Sequence, residues 1–426
     1  MISKLGIDEL NDMQKEVQKH LKDHSQLLLL SPTGSGKTLA FLLPVIERLD
    51  PQIHGIQALI IVPSRELAIQ IEQVARDLGS GFKVNAVYGG RAGAKDRMEI
   101  KHPPAILIAT PGRAADHIRK ESIQTDEIAH LVLDEFDKSL EMGFEDEMES
   151  IFSALPSLAT KILTSATQKV KIPDFVRFKN AKRLNFSQKG ETGLEIKIIS
   201  SKEEEKQKNL NRLLHSLADK NGIIFCNFKD SIAELSDFLK DRKWDHATFH
   251  GGLEQLEREQ SLIKFRNGSV HLLLASDLAA RGIDVPEMDF IIHYELPPRP
   301  DEFIHRNGRT ARMNASGTAF VFDLEGEESA SFIKGVRSKI ESKRKNSAPL
   351  MKTLYISGGR KDKISKGDIA GLFFKEGKLK KEELGIIELK QNGAYVAVHA
   401  EKAKELVHQL NNSRLKKKKV RISLLK

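Results

Sequence analysis

Cysteine is almost missing from this chain: Cys226 is the only one among 426 residues. An intramolecular disulfide and a cysteine-rich zinc site are thereby excluded, and the cytoplasm is the expected compartment. Long apolar runs are missing as well. Runs such as residues 27–30 fall far short of the roughly 20 residues a membrane-spanning helix needs, so no membrane partner is expected. The opening stretch, 1–10, has neither a basic segment leading into an apolar one nor a small-residue cleavage site, which argues against secretion. The bias of a disordered chain is also lacking, since 40% of residues are hydrophobic and 30% charged, the balance of a globular protein. At about 150 residues per domain, the length points to about three domains.

The net charge of +9 is unevenly spread. Residues 343–426 hold 22 Lys and Arg against 8 Asp and Glu, a balance of +14, while the remainder holds 46 against 51. A positive module on a mildly acidic body suits a polyanion partner, because neutralising phosphates releases condensed counterions. A solvated lysine-rich surface is the competing reading of the same charge.

From residue 26, short aliphatic runs alternate with longer amphipathic stretches, as in strands joined by crossover helices. Candidate strands are 26–30, 58–62, 83–87, 105–109, 130–133 and 161–164, apolar on both faces as in a buried parallel sheet. The polar, glycine-containing stretch 186–193 reads as a linker. A second series follows at 222–226, 246–249, 271–275, 290–293 and 318–322, and then a tail from 350 to 426. The expected domains are 1–188, 194–341 and 350–426. The fold class is α/β: two parallel-sheet domains in tandem, followed by a compact tail.

Residues 31–38 read S-P-T-G-S-G-K-T between a predicted strand and a helix expected over 39–49. The backbone amides of Thr33, Gly34, Ser35 and Gly36 and the helix N-terminus would cradle phosphates; Lys37 would reach the β and γ phosphates and Thr38 would ligate magnesium. Ser31 stands where the general phosphate-loop pattern has its first glycine. Residues 134–137 read D-E-F-D at the expected carboxyl end of a strand, roughly three βαβ units later, where ligands of open α/β sheets bind. One carboxylate can hold magnesium while the next orients or deprotonates water for attack on the γ phosphate. Acidic pairs at strand ends also serve as helix caps. Residues 305–312 read H-R-N-G-R-T-A-R, with arginines every third position that could stabilise a transferring phosphate.

Further blocks are P-S-R-E-L-A from 63, Gly89 and Gly90, T-P-G-R from 110, S-A-T from 165, I-I-F-C-N-F-K from 223, H-G-G-L-E-Q-L-E-R-E from 250 and A-S-D-L-A-A-R-G-I-D from 275. Together with Gln14 and the blocks above, in this order, they make the chain resemble the DEAD-box RNA helicases over about residues 1–340. The resemblance implies two RecA-like domains that close on ATP and single-stranded RNA. It assigns adenine to Gln14, phosphates to Lys37, magnesium to Thr38 and Asp134, and the general base to Glu135. Ser165 and Thr167, with Asp137, would couple hydrolysis to closure; Asp284 would contact the ribose, and Arg309 and Arg312 would act as fingers. RNA contacts would fall to Arg65, Gly90, Thr110, Arg113, Arg258 and Ser276. These are mostly contacts to the sugar-phosphate backbone, which carry no sequence information, so selectivity must come from elsewhere.

The tail, with L-Y-I-S-G-G-R-K-D-K-I from 354, G-D-I-A-G from 367 and N-G-A-Y-V-A-V from 392, resembles the RNA-binding domain of DbpA-type helicases. That resemblance implies a small α+β domain of the RNA-recognition type that directs the helicase to structured large-subunit ribosomal RNA during ribosome assembly; a monomer is expected. Strands are expected at 354–357 and 394–398 and a helix at 401–409. Only Tyr355 and Tyr395 could offer stacking faces there, and both could equally be core. Fewer stacking platforms should shift RNA binding to Arg360, Lys361, Lys363 and Lys366.

The chain departs from the family pattern in six places. Only 13 residues precede Gln14, so the expectation is either weaker ATP binding without the usual upstream aromatic or a true start further upstream; Phe136 takes an alanine position, Asn307 and Ala311 replace Ile and Gly, and Ser64 and Ser276 replace Thr. A clamp that spends ATP only to lock onto RNA is the competing function, against which the retained Glu135, Arg309 and Arg312 argue. A DNA translocase is disfavoured by D-E-F-D and S-A-T together.

Overall fold

Aliphatic runs of four or five residues can be buried on both faces only if layers cover both sides of the sheet they form. The computed structural model describes the chain except residues 33, 91–92, 156–157, 168–170, 187–192, 218–219, 278–287, 311–315, 327–329, 341–348 and 426, and the side chains of Ala94 and Lys95. Its described residues form two compact units, one ahead of Gly193 and one from there onward.

The first unit holds seven strands: β1 (Gln26–Leu30), β2 (Ala58–Ile61), β3 (Val84–Val87), β4 (Ile106–Ala109), β5 (His130–Leu133), β6 (Thr160–Ser165) and β7 (Lys182–Asn185). They pair in parallel in the order β3-β4-β2-β5-β6-β1-β7. Alternate residues feed two cores. Leu27, Leu29 and Ile60 join Phe41 and Ile71 on one face, while Leu28, Leu30 and Leu59 join Phe136 and Ile151 on the other. The six expected strands are present, two with the expected ends and four with one or both ends shifted by one residue. The edge strand β7 was not foreseen, because only Leu184 of its four residues is buried.

The second unit repeats the plan with β8 (Gly193–Ser201), β9 (Gly222–Phe225), β10 (His246–Phe249), β11 (Leu272–Ala275), β12 (Phe290–His293), β13 (Ser316–Leu324) and β14 (Val336–Arg337). Its order, β10-β11-β9-β12-β13-β8-β14, equals that of the first sheet when each is counted from its own first strand. The two sheets therefore share one topology despite showing no repeated sequence. Of the expected linker, 187–192 lies outside the described residues, while Gly193 already pairs with Ser316 in β8.

The tail forms an antiparallel sheet ordered β16-β17-β15-β20 from β15 (Met351–Ile356), β16 (Leu384–Leu389), β17 (Ala394–His399) and β20 (Ile422–Leu424), with a small hairpin of β18 (Arg414–Leu415) and β19 (Lys418–Lys419). One face, carrying Leu354, Ile356, Val396 and Val398, packs on the helices Lys366–Lys375 and Ala403–Leu410 through Ile369, Phe373, Leu406 and Leu410. The expected helix at 401–409 starts instead at Ala403. Helix Lys366–Lys375 escaped the sequence reading because Gly367 and Gly371 disfavour helix; a capping box between Ser365 and Asp368 starts it.

Candidate nucleotide and RNA sites

All strands of a parallel sheet end at the same edge, so strand order decides which following loops become neighbours. In the first unit β5, β6 and β1 lie side by side, with Leu133 opposite Leu163 and Leu30 opposite Ser165. The D-E-F-D, S-A-T and phosphate-loop segments leave these three strands. On the other half of the edge β3, β4 and β2 lead into Gly90, Thr110 and Arg65. Candidate nucleotide and RNA residues thus occupy separate halves of one sheet edge.

After β1 the chain turns through Gly34 (φ 82°) and Gly36 (φ 89°), a left-handed backbone that glycine adopts without steric cost. A Cβ on Gly36 would also lie 2.6 Å from Gln14 Nε2. Left-handed Gly36 is the N-cap of helix Lys37–Ile46, which therefore starts two residues before the expected 39. It ends at Ile46 rather than 49: Pro44 brings no N–H to the ladder, and Arg48 Nη1 donates to the Pro44 carbonyl at 2.7 Å. Lys37 is buried, its Nζ donating to the carbonyls of Ser31 (2.8 Å) and Pro32 (2.9 Å), so a bound phosphate would exchange with these two acceptors. Ser31 Oγ, at the departed glycine position, donates to Ser35 Oγ at 2.7 Å. Gln14 Nε2 donates to the Gly36 carbonyl (3.2 Å), and Asn11 Nδ2 to that of Ser35 (3.1 Å). The reading from sequence singled out Gln14 but passed over Asn11, a helix cap by type.

Asp134 leaves β5 almost fully buried. Burial pushes its carboxyl above the usual carboxylate range, opposed by the Lys37 ammonium and the Thr164 hydroxyl. Glu135, also buried, adopts φ 49° and ψ 48° and is the N-cap of helix Phe136–Glu141. The Phe136 ring enters the core. Asp137 Oδ2 accepts from Thr167 Oγ1 at 2.9 Å, and Ser165 Oγ accepts from the Thr167 amide at 2.9 Å, tying D-E-F-D to S-A-T. Thr38 sits partly exposed in the first helical turn. Its hydroxyl and the Asp134 carboxylate are oxygen donors of the kind magnesium takes. Among the described residues no group of three or more His, Cys, Asp or Glu could hold a metal ion.

On the RNA half, Ser64 Oγ accepts from Leu67 N at 3.2 Å and starts helix Arg65–Leu78. The Arg65 guanidinium lies over Gly90 (φ 85°), where a Cβ would come within 2.1 Å of its Nη1. Thr110 precedes helix Pro111–Arg119, and Arg113 Nε donates to Asp96 Oδ2 at 2.5 Å. Asp96 is fully buried with His117 Nε2 3.5 Å away, and nothing in its polar sequence surroundings marked it.

In the second unit Ser276 N donates to the Phe249 carbonyl at 3.2 Å, directly after β11. Arg258 Nη2 donates to Gln255 Oε1 at 2.8 Å on helix Gln255–Arg266. The three arginines of H-R-N-G-R-T-A-R are not equivalent. Arg306, buried, donates to both carboxylate oxygens of Asp277, to Asn227 Oδ1 (2.7 Å) and to the Glu295 carbonyl (2.6 Å), joining the ends of β11, β9 and β12. Its donors are taken up by internal structure, whereas the sequence pattern left all three arginines open as groups that could stabilise a transferring phosphate. Arg309 is also buried, and its amide donates to Arg306 O at 3.1 Å. The departure at Asn307 has a partner: its Oδ1 bonds Nε2 of the fully buried His293 at 2.8 Å. Thr33, Asp284 and Arg312 lie outside the described residues.

In the tail, Tyr355 and Tyr395 pair across β15 and β17 with ring centroids 5.3 Å apart, on the face opposite the helices. That face packs on helix Gln255–Arg266 and the turn after it. Arg266 Nε and Nη2 donate to Glu388 Oε1 (3.0 Å) and Oε2 (2.9 Å), Asn267 Nδ2 donates to Thr353 Oγ1 (3.2 Å), and Ser269 Oγ lies 2.7 Å from the same hydroxyl. Tyr395 is only 4% exposed while Tyr355 stays partly exposed, so one of the two expected stacking faces is covered. Burial also raises its hydroxyl pKa, against a hydrogen bond from Gln260. Arg360, Lys361, Lys363 and Lys366 are all exposed. Lys418–Asp362 (2.7 Å) and Lys416–Asp368 (3.0 Å) ion pairs fasten the basic hairpin to this segment, adding exposed Arg414, Lys417 and Lys419. The lysine run at 416–419 was the signal for these residues.

Two tandem RecA-like sheets with a phosphate loop and paired carboxylates, followed by a basic antiparallel module, define a nucleic-acid-dependent ATPase. The DEAD/DEAH box helicase family matches residues 11–175, the helicase conserved C-terminal domain 205–314, and the DbpA RNA binding domain 353–424. The chain belongs to the DEAD-box ATP-dependent RNA helicases, in the group that carries a DbpA RNA-binding domain. It is 31% identical to the ATP-dependent RNA helicase DbpA of Bacillus subtilis (98% of this chain, 95% of that one) and 31% identical to DbpA of Escherichia coli (100% and 96%). Its fold is similar to that of Saccharomyces cerevisiae Dbp5 bound to RNA and ADP BeF3, with a TM-score of 0.68 and 26% identity over 76% of this chain and 86% of that one. No described helix is long and apolar enough to cross a membrane.

Proposed function

We propose that this RNA helicase remodels structured large-subunit ribosomal RNA during ribosome assembly, as a cytoplasmic monomer built of domains 1–188, 194–341 and 350–426. Gln14 reads adenine; the loop from Thr33 to Gly36 with Lys37 holds the phosphates, and Thr38 and Asp134 hold Mg2+. The metal, when bound with ATP, neutralises phosphate charge. Glu135 accepts the proton of the attacking water, Asp284 meets the ribose, and Arg309 and Arg312 furnish positive charge to the transferring phosphate. Ser165, Thr167 and Asp137 transmit the nucleotide state. Arg65, Gly90, Thr110, Arg113, Arg258 and Ser276 grip the RNA backbone without regard to sequence.

The observation that carries this reading is the division of one sheet edge into carboxylates and phosphate loop on one half and Arg65, Gly90 and Arg113 on the other. Target choice falls to the tail, whose sheet face packs on helix Gln255–Arg266 and whose exposed lysines and arginines remain for RNA. Substituting Arg360, Lys361 and Lys363 together by Glu should abolish preference for large-subunit ribosomal RNA fragments over generic RNA in competition binding, while ATP turnover on generic RNA persists. Unchanged preference would refute the ribosomal assignment to this surface.

A further inference from the structure

The hydroxyl of Thr164, a residue that no motif marks, occupies the centre of the carboxylate site. It donates to Asp134 Oδ1 and accepts the Glu135 amide proton at 3.1 Å, so one oxygen atom touches both acidic residues. Thr164 is fully buried on β6, opposite Leu29 of β1 and one residue ahead of S-A-T. Glu135 needs such a hold. At φ 49° it is a non-glycine residue in the left-handed region, a conformation that costs about 1 kcal/mol or more and persists only where surrounding contacts over-determine it. The Glu135 amide is held by the Thr164 hydroxyl and, at 3.2 Å, by Asp134 Oδ1, while the Glu135 carbonyl accepts from Lys138 N at 3.0 Å.

We propose that Thr164 is a positioning residue for ATP hydrolysis: its hydroxyl fixes the Asp134 carboxylate for the metal and locks the left-handed turn that aims Glu135. The proposal rests on the reading of Asp134 as metal ligand and Glu135 as base. Valine is the same shape without the hydroxyl; it would leave a buried carboxylate one donor short and the Glu135 amide with one acceptor fewer. Serine keeps both bonds.

The test uses the full chain with Thr164→Val and Thr164→Ser. Three quantities are measured: RNA-stimulated turnover, the Mg2+ concentration for half-maximal binding of a fluorescent ADP analogue, and hydrogen exchange of the Glu135 amide without nucleotide. Valine should lower kcat about tenfold with KM for ATP within about twofold, raise the Mg2+ requirement about threefold, and speed Glu135 exchange about tenfold. Serine should stay within about twofold of the parent in all three. Wild-type exchange and Mg2+ requirement in the valine variant would overturn the proposal, as would a serine variant as impaired as valine. Thr164→Ala, held to the same expectations, replaces valine if that variant does not fold. Glu135→Gln runs alongside: full turnover there sinks the parent reading, whereas the amide exchange bears on Thr164 alone.

Discussion

Replacing Phe136 by the alanine its family position usually holds should cost stability and spare chemistry. The ring is fully buried among core residues that include Leu133, Met148, Ile151 and Leu163, on the sheet face opposite Phe41. Truncating a buried Phe to Ala costs about 3–5 kcal/mol, the lost transfer energy plus that of the cavity left behind. For a unit of this size about 1 kcal/mol moves the midpoint by about 2–4 °C, so its melting transition should fall by roughly 6–20 °C. Asp134 and Asp137 keep their partners Thr164 and Thr167, neither of which touches Phe136 through a hydrogen bond. Well below the new transition kcat should therefore change by less than about threefold. Scanning calorimetry, following the transition that rises with ADP and Mg2+, beside RNA-stimulated turnover at 15 to about 20 °C, makes the check. A midpoint lowered by less than about 3 °C would refute the packing argument. An unshifted midpoint with turnover down more than about tenfold would assign the ring a part in the chemistry.

Burial, with the Arg306 charge second, lowers His293 to about 3, against about 6.5 in the unfolded chain. Below pH ~6.5 the unfolded chain takes up a proton that the folded one refuses, so stability present above that pH is lost as pH falls toward 3, at about 1.4 kcal/mol per unit. Urea melts at pH 7.5 and 5 should show a loss on acidification about 2 kcal/mol smaller in His293→Gln than in the parent; equal losses would contradict the neutral, buried imidazole. At the covered tail face, Glu388→Lys should speed hydrogen exchange in β16 and β17. Adding Arg266→Glu should restore protection, with a coupling of about 1 kcal/mol from the double-mutant cycle. No restoration would show that this ion pair does not hold the tail in place.

Runs such as A-L-I-I and H-L-V-L announced their strands because doubly buried parallel strands tolerate almost no polar residue. Strands β7 and β8, polar or alternating and only partly buried, gave no comparable signal. The phosphate loop and D-E-F-D stood out because phosphate and water chemistry asks for those groups at close spacing, whereas S-A-T stood out only through the family resemblance. Asn11, Asp96 and Thr164 were not, since each is an ordinary polar residue whose partner comes from a distant segment. Arg306 shows the converse: its spacing matched its neighbours, yet Asp277, Asn227 and the Glu295 carbonyl consume its donors.

Residue order alone was enough to nominate the chemistry: a phosphate-loop pattern, paired carboxylates and a basic tail are local patterns, written in side chains a few positions apart. Strand order, by contrast, brought β5, β6 and β1 together on one half of an edge and β3, β4 and β2 on the other. Packing turned Tyr395 from a candidate platform into a buried contact. Which strands neighbour one another, and which sheet face is covered, depend on the total apolar area the chain can bury across long separations, and no short stretch of sequence records that sum.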